Sequence, residues 1–401
     1  MRALIDCRYV RPEQHDGISR FTAELVTELA RLHPIEMLIS DERQLHQLPD
    51  LPWHRISAPT SWREPFVARQ VRALAPDVVF SPMQTMGGWG RTYPLVLTLH
   101  DLIYYRHRTP PADLPEPVRL LWRAAHLSWW PQRLLLNRAD HVVTVSQTTA
   151  DLIRRNRLTR RDVTVVYNAP SPALVAHADI PGPRGPVPAE APSGPAIPAM
   201  PVSVPGDAAI PAARPDGPGV LVYMGSFMPY KNVDTLVRAA RLLPDHELHL
   251  MSRITAAEEA RLREIAGGKL GGGEVGGGAR LVFHNGATDA VYRELLGRAT
   301  ALVTASRDEG FGIPLVEAMA LGAPVVVSDI PVFREIGGEA AYFVNPDDAE
   351  GFAAAIERLS DRDEWTRRSA AARRQSETFT WSRSAAVLSD LLVRLADRGR
   401  R

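Results

Sequence analysis

Two glutamates stand eight residues apart in the segment Glu-Gly-Phe-Gly-Ile-Pro-Leu-Val-Glu, which runs from Glu309 to Glu317. The apolar run before it, residues 301–305, is typical of a buried parallel strand. Pro314 suits the first turn of a helix, where its missing N–H costs nothing. We therefore expect Glu309 on the loop between strand and helix, and Glu317 within the first helical turn.

The chemistry of this segment is that of a nucleotide-sugar site. Gly310 and Gly312 allow the backbone to approach a ligand closely, so the free N–H groups and positive dipole end of the helix can face a diphosphate. A carboxylate only accepts hydrogen bonds, which suits the hydroxyl groups of a sugar or a ribose and opposes phosphate. A glutamate that merely complements the helix dipole would explain the second carboxylate, but not the first one together with its two glycines.

The same residues resemble the E-G-F-G-x-P-x-x-E motif of the retaining GT-B glycosyltransferases of family 4. The resemblance implies that Glu309 contacts the transferred sugar and that Glu317 binds the ribose hydroxyls of the donor. The donor-binding residues that it implies in this segment are Gly310, Phe311, Gly312, Ile313 and Glu317.

The pattern of strands predicts an α/β fold. Each half of the chain alternates short apolar runs with helical periodicity, which is typical of doubly wound layers. The strands are expected at residues 3–6, 35–39, 77–80, 95–99 and 142–145, and at 220–223, 248–251, 281–283, 301–305 and 324–328. With the resemblance, this predicts the GT-B fold, in which two Rossmann-like, doubly wound parallel-sheet domains face a central cleft and both contribute to the site.

Four segments follow from this reading of the 401 residues. They are an acceptor-binding Rossmann-like domain at 1–175, a Pro/Ala/Gly-rich linker or insertion at 176–218, a nucleotide-sugar-binding Rossmann-like domain at 219–378, and a helix at 379–401 that packs back on the first domain. Residues 170–218 hold fourteen of the 34 prolines, and such a composition cannot bury enough surface to offset its ordering entropy. A glycine-rich stretch at 267–278 is expected to be a flexible turn.

A lysine after the strand at 220–223 is the candidate for the donor diphosphate. The chain has two lysines among its 47 basic residues, so Lys231 is unusual by composition, and a compact ammonium suits a phosphate. Family 4 enzymes carry a lysine here and commonly an arginine after the strand glycine, Gly225, where this chain has Ser226. Arg253 is a candidate to contact the phosphate in place of that arginine. The alternative for Lys231 is a surface residue flanking a helix.

Two further strand ends supply candidates from the first half. His100 ends the strand at 95–99 and can donate to a sugar hydroxyl or stabilise developing charge, and the resemblance gives it a contact with the transferred sugar. Asp101 either fixes the tautomer of the His100 imidazole or caps the next segment. Gly17 follows the first strand and permits close approach to phosphate, although a single glycine in such a loop usually indicates only a turn. Arg20 can reach a phosphate or an anionic acceptor.

Nucleobase recognition is expected in the loop after the strand at 281–283. The residues concerned are Asn285, Gly286, Ala287 and Thr288.

Charge and composition limit the partners. The net charge of +1 argues against a nucleic-acid binder, yet residues 51–170 carry sixteen Arg and eight Asp plus Glu. An anionic acceptor or anionic lipid would explain this excess, as would solvated surface.

A helical segment at 119–130 has Arg and His on one face and aromatic residues opposite, which suits either a membrane surface or packing on the sheet. With a single cysteine and no apolar span of eighteen residues, we expect a cytoplasmic protein, or one peripheral on the cytosolic membrane face.

Taken together, these residues predict a metal-independent retaining transferase with His100, Glu309 and Lys231 as its catalytic set. It would move mannose or another hexose from a GDP- or UDP-sugar, GDP-mannose first, to a glycan, lipid-linked or small-molecule acceptor. The Asp-x-Asp triplet at 361–363 follows a helical stretch, so neither a metal nor a cofactor is expected. A GT-B nucleotide-sugar epimerase and a catalytically silent nucleotide-sugar-binding protein remain open.

Overall fold

The computed structural model describes residues 1–13, 16–110, 116–175, 218–267 and 279–399. The predicted linker, apart from its last residue, and nearly all of the glycine-rich stretch at 267–278 lie outside these ranges. The strands are β1 Ala3–Asp6, β2 Ile35–Ile39, β3 Trp53–Arg55, β4 Val78–Ser81, β5 Leu95–Leu99, β6 His141–Thr144, β7 Val163–Val165, β8 Gly219–Tyr223, β9 His246–Leu250, β10 Arg280–Phe283, β11 Ala301–Thr304, β12 Val325–Ser328 and β13 Ala341–Val344. The helices are α1 Gly17–Leu32, α2 Val67–Arg72, α3 Ile103–Arg106, α4 Glu116–Ala125, α5 Trp130–Leu136, α6 Gln147–Arg155, α7 Pro172–Val175, α8 Val233–Ala240, α9 Ala256–Ile265, α10 Asp289–Gly297, α11 Ile313–Ala320, α12 Pro331–Gly337, α13 Ala349–Arg358, α14 Arg362–Ser376 and α15 Trp381–Gly399.

The strands form two separate parallel sheets. The first has the order β3-β2-β1-β4-β5-β6-β7, and the second has the order β10-β9-β8-β11-β12-β13. In each sheet the chain order reverses beside the first strand, between β1 and β4 and between β8 and β11. Ligands of doubly wound sheets bind at such a reversal, outside the carboxyl ends of the strands. The predicted α/β architecture of two facing doubly wound domains is confirmed.

Three strands that the sequence did not predict lie at sheet edges. They are β3, β7 and β13, and each pairs with a single neighbour. β3 and β7 are partly exposed and contain polar residues, so they lack the continuous apolar run that marks a strand buried on both faces. β13, Ala341–Val344, is apolar throughout, and the sequence analysis missed it. The predicted strands are found with ends displaced by at most two residues, as for β9, which begins at His246 rather than at residue 248.

The last helix belongs spatially to the first domain. Helix α15 packs along α1, and buried side chains of the two helices share one hydrophobic core. The indole N–H of Trp381 donates to the Pro170 carbonyl at 3.0 Å, and the Ser384 hydroxyl donates to the Tyr167 carbonyl at 2.7 Å. The chain therefore crosses between the domains twice, once between Val175 and Pro218 and once just before α15.

Among the helices of the described ranges, none combines the length and the apolar character that a membrane span requires.

Candidate active site

A cavity of about 500 Å³ lies between the two domains, within the range of ligand pockets of about 300–1,000 Å³. Loops at the carboxyl ends of strands from both sheets form its walls. From the first domain it is lined by Asp16, Gly17, Arg20, His100 and Asp101, and from the second by Tyr230, Lys231, Glu309, Gly310, Phe311, Gly312, Ile313 and Glu317. The predicted catalytic set thus meets in one cleft.

The loop from β11 to α11 has the local structure that its glycines suggest. Gly312 precedes the helix with φ of +99°, a left-handed conformation that favours glycine, and Pro314 occupies the first turn. A Cβ on Gly310 would lie 2.7 Å from the His100 carbonyl oxygen, so a side chain at this position would collide with the opposite domain. The loop therefore brings Glu309 and the start of α11 directly against the strand end that carries His100.

Glu317 does not lie where the sequence placed it. Helix α11 begins at Ile313, so Glu317 is its fifth residue and begins the second turn. The expectation of a first-turn position was wrong by one residue, because Gly312 ends the loop and the proline occupies the second helical position. The side chain is 2% exposed and points at the cavity rather than at the helix N-terminus, which leaves the terminal N–H groups to a ligand.

Lys231 and Glu309 form an ion pair inside the cleft. Lys231 ends a short 3-10 turn, Pro229–Lys231, that leads into α8. Its ammonium lies 2.6 Å from Glu309 Oε1, and the two side chains are 15% and 13% exposed. The lysine also lies over the Tyr230 ring, 5.3 Å from the centroid. A diphosphate that binds the lysine therefore competes with this carboxylate for the ammonium and meets its negative charge.

Glu317 is paired with an arginine of the other domain. Arg20 Nη1 donates to Glu317 Oε1 at 2.9 Å, and Arg20 Nη2 donates to Asp289 Oδ1 at 2.9 Å. Burial raises the pKa of the Glu317 carboxyl to about 7, although the Arg20 guanidinium acts in the opposite direction. Arg20 was expected to contact a phosphate or an anionic acceptor, and in this structure both of its donor ends are held by carboxylates.

His100 is held as a neutral imidazole with a defined tautomer. Its Nε2 lies 2.8 Å from the Pro82 carbonyl oxygen, which can only accept, so Nε2 carries the proton and Nδ1 is an acceptor. Burial lowers the pKa of this imidazole below its ordinary value, against the opposing effects of the Pro82 carbonyl and the Asp16 carboxylate. The neutral ring is thus suited to accept a hydrogen bond from a sugar hydroxyl. Asp101 accepts the N–H of Ile103, the first residue of α3, at 3.0 Å.

The first loop of the chain faces the same cleft. Asp16 caps α1 by accepting the Ser19 N–H at 2.9 Å. Because that carboxylate already occupies the end of α1, phosphate binding there is disfavoured. Gly17 instead faces the second domain, where a Cβ would lie 3.5 Å from Ile313 Cδ1. The two glycine loops therefore close on each other across the cavity.

Several predicted donor residues lie near the cavity but do not line it. Gly225 donates its N–H to the Ser252 hydroxyl at 3.2 Å, and the Ser226 carbonyl accepts the Tyr223 hydroxyl at 2.6 Å. The predicted base loop, Asn285, Gly286, Ala287 and Thr288, precedes α10, and Thr288 caps that helix. Arg253 packs against Gly286 of this loop rather than at the phosphate region.

Sequence reasoning missed two residues of the site. Asp289 follows the predicted base loop and pairs with Arg20, while Tyr230 lines the cavity beside Lys231. Tyr230 had an available signal, since it directly precedes the candidate lysine. Asp289 had none, because its partner is 269 residues away. The Asp361 side chain caps α14, in accordance with a turn. Within the described ranges, no group of three or more His, Cys, Asp or Glu side chains is arranged to hold a metal ion.

Two doubly wound domains that face a cleft, with these glutamates, the lysine and the histidine in its walls, are those of a GT-B glycosyltransferase. The family described as Glycosyltransferase Family 4 matches residues 15–172, and the family described as Glycosyl transferases group 1 matches residues 209–376. The chain belongs to these glycosyltransferase families, one matched by each half, which confirms the resemblance.

Similar proteins extend this result. A stretch of 65 residues is 54% identical to the O-antigen chain mannosyltransferase RfbU of Salmonella typhimurium, over 16% of this chain and 18% of that protein. The D-inositol 3-phosphate glycosyltransferase of Streptomyces griseus is 28% identical over 78% of this chain and 64% of its own length. The chain thus spans between about a fifth and just under two thirds of the length of these curated relatives. The solved structure of Anabaena Alr3699/HepE in complex with UDP-glucose superposes with a TM-score of 0.65 at 16% identity, over 98% of this chain and 100% of that chain.

Proposed function

We propose that this protein transfers a hexose from a nucleoside diphosphate sugar to an acceptor. The observation that carries the proposal is the position of Glu309, Lys231 and Glu317 on one wall of a single cavity, opposite His100 on the other. Each has a chemistry that matches one part of such a donor. The lysine and the N-terminus of α11 suit the diphosphate, and the carboxylates suit hydroxyl groups.

The donor would lie across α11. In this arrangement Glu317 takes the ribose hydroxyls, Lys231 takes the diphosphate, and Glu309 and His100 hold the transferred sugar from opposite sides. The distance of 2.6 Å between Lys231 and Glu309 supports phosphate and sugar positions that lie side by side. The scissile bond would therefore lie between these two side chains.

GDP-mannose is the first donor to test. Support for mannose comes from the relative named a mannosyltransferase, and support for a nucleotide sugar comes from the neighbouring structure that holds UDP-glucose. Both GDP and UDP are to be tested, because both bases are neutral and the side chains of Asn285 and Thr288 in the expected base loop already accept the N–H groups of Ile254 and Val291.

The proposed reaction retains the anomeric configuration and needs neither metal nor cofactor. Lys231 and the helix N-terminus would neutralise the charge that develops on the leaving diphosphate. No protein nucleophile is expected in this reaction, so the leaving phosphate itself would help to deprotonate the acceptor on the same face of the sugar.

A thermal-shift panel of nucleotide sugars tests the donor. A ligand at about 100 times its dissociation constant adds about 2.7 kcal/mol to the stability of the folded state, which raises the melting temperature by several degrees. NMR of the product then shows whether the configuration is retained. A panel without any shift would refute the nucleotide-sugar site. A shift without turnover on any acceptor would favour a silent binding protein, and conversion of the free donor to its epimer would favour an epimerase.

The first domain carries exposed apolar side chains on and between two of its helices. Residues 119–130, expected to be one helix, are split between α4, which ends at Ala125, and α5, which begins at Trp130. Leu120 and Trp130 are 69% and 66% exposed, and Leu127 and Leu134 are exposed beside them in sequence. Trp129 is instead partly buried, with its ring stacked on Tyr105 at 4.3 Å between centroids.

Arginines adjoin this surface. Arg133 of α5 donates to the carbonyls of Asn156 and Arg157, which places α5 against the arginine-rich residues 154–161. Exposed apolar side chains next to a basic patch are complementary to an anionic lipid surface. We therefore include a peripheral contact with anionic membrane, and a lipid-linked acceptor, in the proposed function.

Vesicle binding tests this membrane contact. Replacing Leu120 and Trp130 by Ser should weaken cosedimentation with phosphatidylglycerol vesicles, because the exposed side chains no longer enter the lipid. Replacing Leu242, which is exposed on the second domain, by Ser is the matched control and should leave it unchanged. Equal binding by both variants would remove the membrane from the proposal.

A further inference from the structure

The ion pairs of Arg20 connect the two domains at the predicted ribose site. Arg20 extends from α1 of the first domain, is 16% exposed, and contacts Glu317 of α11 and Asp289 of α10. These contacts join residues 297 and 269 positions apart in the chain. Glu317 is 2% exposed, whereas Asp289 is 60% exposed. The arginine is thus anchored on a solvated carboxylate and directed at a buried one.

A buried carboxylate needs such a partner to stay charged. The charged and titratable groups that face Glu317 are Arg20 from α1, and Asp289 and Tyr292 from α10. Burial raises the pKa of Glu317 to about 7, Asp289 acts in the same direction, and Arg20 acts against both. The Tyr292 hydroxyl also lowers the pKa of Glu317, but burial raises its own pKa, so it stays neutral. Of the groups that face Glu317, Arg20 is therefore the one that carries the opposite charge.

The charged state matters for the ligand. An ionised carboxylate accepts about four hydrogen bonds, so Glu317 can bind Arg20 and still accept from two ribose hydroxyls. A protonated carboxyl loses part of that capacity, and it loses the charge that strengthens each bond. Because the arginine belongs to the other domain, it is in place only when the cleft is closed.

We propose that Arg20 is a positioning residue for Glu317: it reaches across the closed cleft, keeps this carboxylate ionised and oriented, and thereby makes ribose binding depend on domain closure. The inference rests on the proposed function, since it assumes that Glu317 binds the ribose. It also reassigns Arg20, which serves the donor through Glu317 rather than through a phosphate.

The test is the pH dependence of GDP and UDP binding, measured by isothermal titration calorimetry from pH 6 to 9. Wild-type affinity should fall as the pH drops through about 7, because Glu317 is ionised above its pKa and protonated below it. An opposite charge at this distance typically shifts a pKa by about 1–3 units. With the midpoint raised from about 7 by that amount, Arg20→Gln should bind about 5- to 500-fold less tightly at pH 7 and recover most of the difference at pH 9.

Two further variants test whether the charges at positions 20 and 289 cause the pH dependence. Arg20→Lys keeps a positive charge and should retain a pH profile near that of the wild type, whereas Asp289→Asn removes a negative neighbour and should move the midpoint to lower pH. The ratio of dissociation constants, variant to wild type, cancels titration of the nucleotide's own phosphate.

The outcomes separate this inference from the function on which it rests. A ratio for Arg20→Gln that is constant from pH 6 to 9, or an affinity equal to that of the wild type, would overturn the role of Arg20 while the nucleotide site stands. A wild-type protein that binds no nucleoside diphosphate would refute the proposed function itself.

Discussion

Replacing Glu309 by Gln should have opposite effects on nucleotide binding and on turnover. The substitution keeps the size of the side chain and removes its charge. Lys231 donates to Glu309 at 2.6 Å, so a nucleoside diphosphate has to compete with a carboxylate for the lysine. With Gln at this position the competitor is neutral, and its repulsion of the phosphates is gone.

The magnitude follows from the burial of the pair. A hydrogen bond to a charged group contributes about 1.5–3 kcal/mol, whereas exposed ion pairs contribute about 0–1 kcal/mol. The two side chains are 15% and 13% exposed, so this ion pair lies between a buried pair and an exposed one. A glutamine at position 309 would still accept a hydrogen bond from the lysine. The interaction energy lost on substitution should therefore lie near the boundary of these two ranges. We expect about 1 kcal/mol, which is about fivefold tighter binding of GDP or UDP.

Turnover should change in the other direction. Loss of a charged contact to the sugar, at about 1.5–3 kcal/mol, lowers kcat/KM by about 10- to 150-fold when that contact strengthens in the transition state. Calorimetry with the nucleoside diphosphate and steady-state kinetics with the nucleotide sugar measure the two effects separately. Glu350→Gln, on the exposed first turn of α13, is the control and should change neither quantity. Weaker nucleotide binding by Glu309→Gln would show that Glu309 contacts the nucleotide, and the placement of the donor would be wrong.

Three other predictions follow from the same contacts. Gly310→Ala should lower kcat by about tenfold or more and also weaken nucleotide binding, because its Cβ would meet the His100 carbonyl at 2.7 Å and hold the domains apart, which also separates Arg20 from Glu317; an unchanged kcat would contradict the close approach. Leu388→Ala, fully buried in α15, should cost about 2–5 kcal/mol of unfolding free energy in urea, whereas its exposed neighbour Val387→Ala should cost well under 1 kcal/mol; equal losses would contradict the packing of α15. Activity should survive a chelator, because Lys231 and the helix N-terminus stand where a metal would be needed, and a loss restored by Mg²⁺ or Mn²⁺ would refute metal independence.

The sequence was most informative where function depends on neighbouring residues. The Glu309 segment places its loop, glycines and helix start within nine residues, and local rules for strands, glycine and proline suffice to interpret it. Strand ends that open onto the cleft were found for the same reason. The error at Glu317 was one residue, which is the usual uncertainty of a helix boundary.

Contacts between residues far apart in the chain could not be predicted. Arg20 and Glu317 are 297 residues apart, and the sequence contains no sign that they meet. The pairing of Lys231 with Glu309, 78 residues away, was missed although each residue was singled out, because both were assigned to the donor rather than to each other. Trp129 and Trp130 are adjacent and alike in sequence, yet one stacks on Tyr105 and the other faces solvent, since a helix begins between them.

The position of α15 also bears on how the protein folds as it is made. Domains generally fold as units during synthesis, with the N-terminal one first. Here the helix that covers α1 is synthesised only after the whole second domain, so the core formed by Phe21, Leu25 and Leu388 cannot be completed when the first 175 residues leave the ribosome. The second domain can close its sheet while the first still exposes an apolar helix face. We therefore expect the first domain to be the later of the two to reach its native packing, and the nascent chain to need protection from aggregation over that interval.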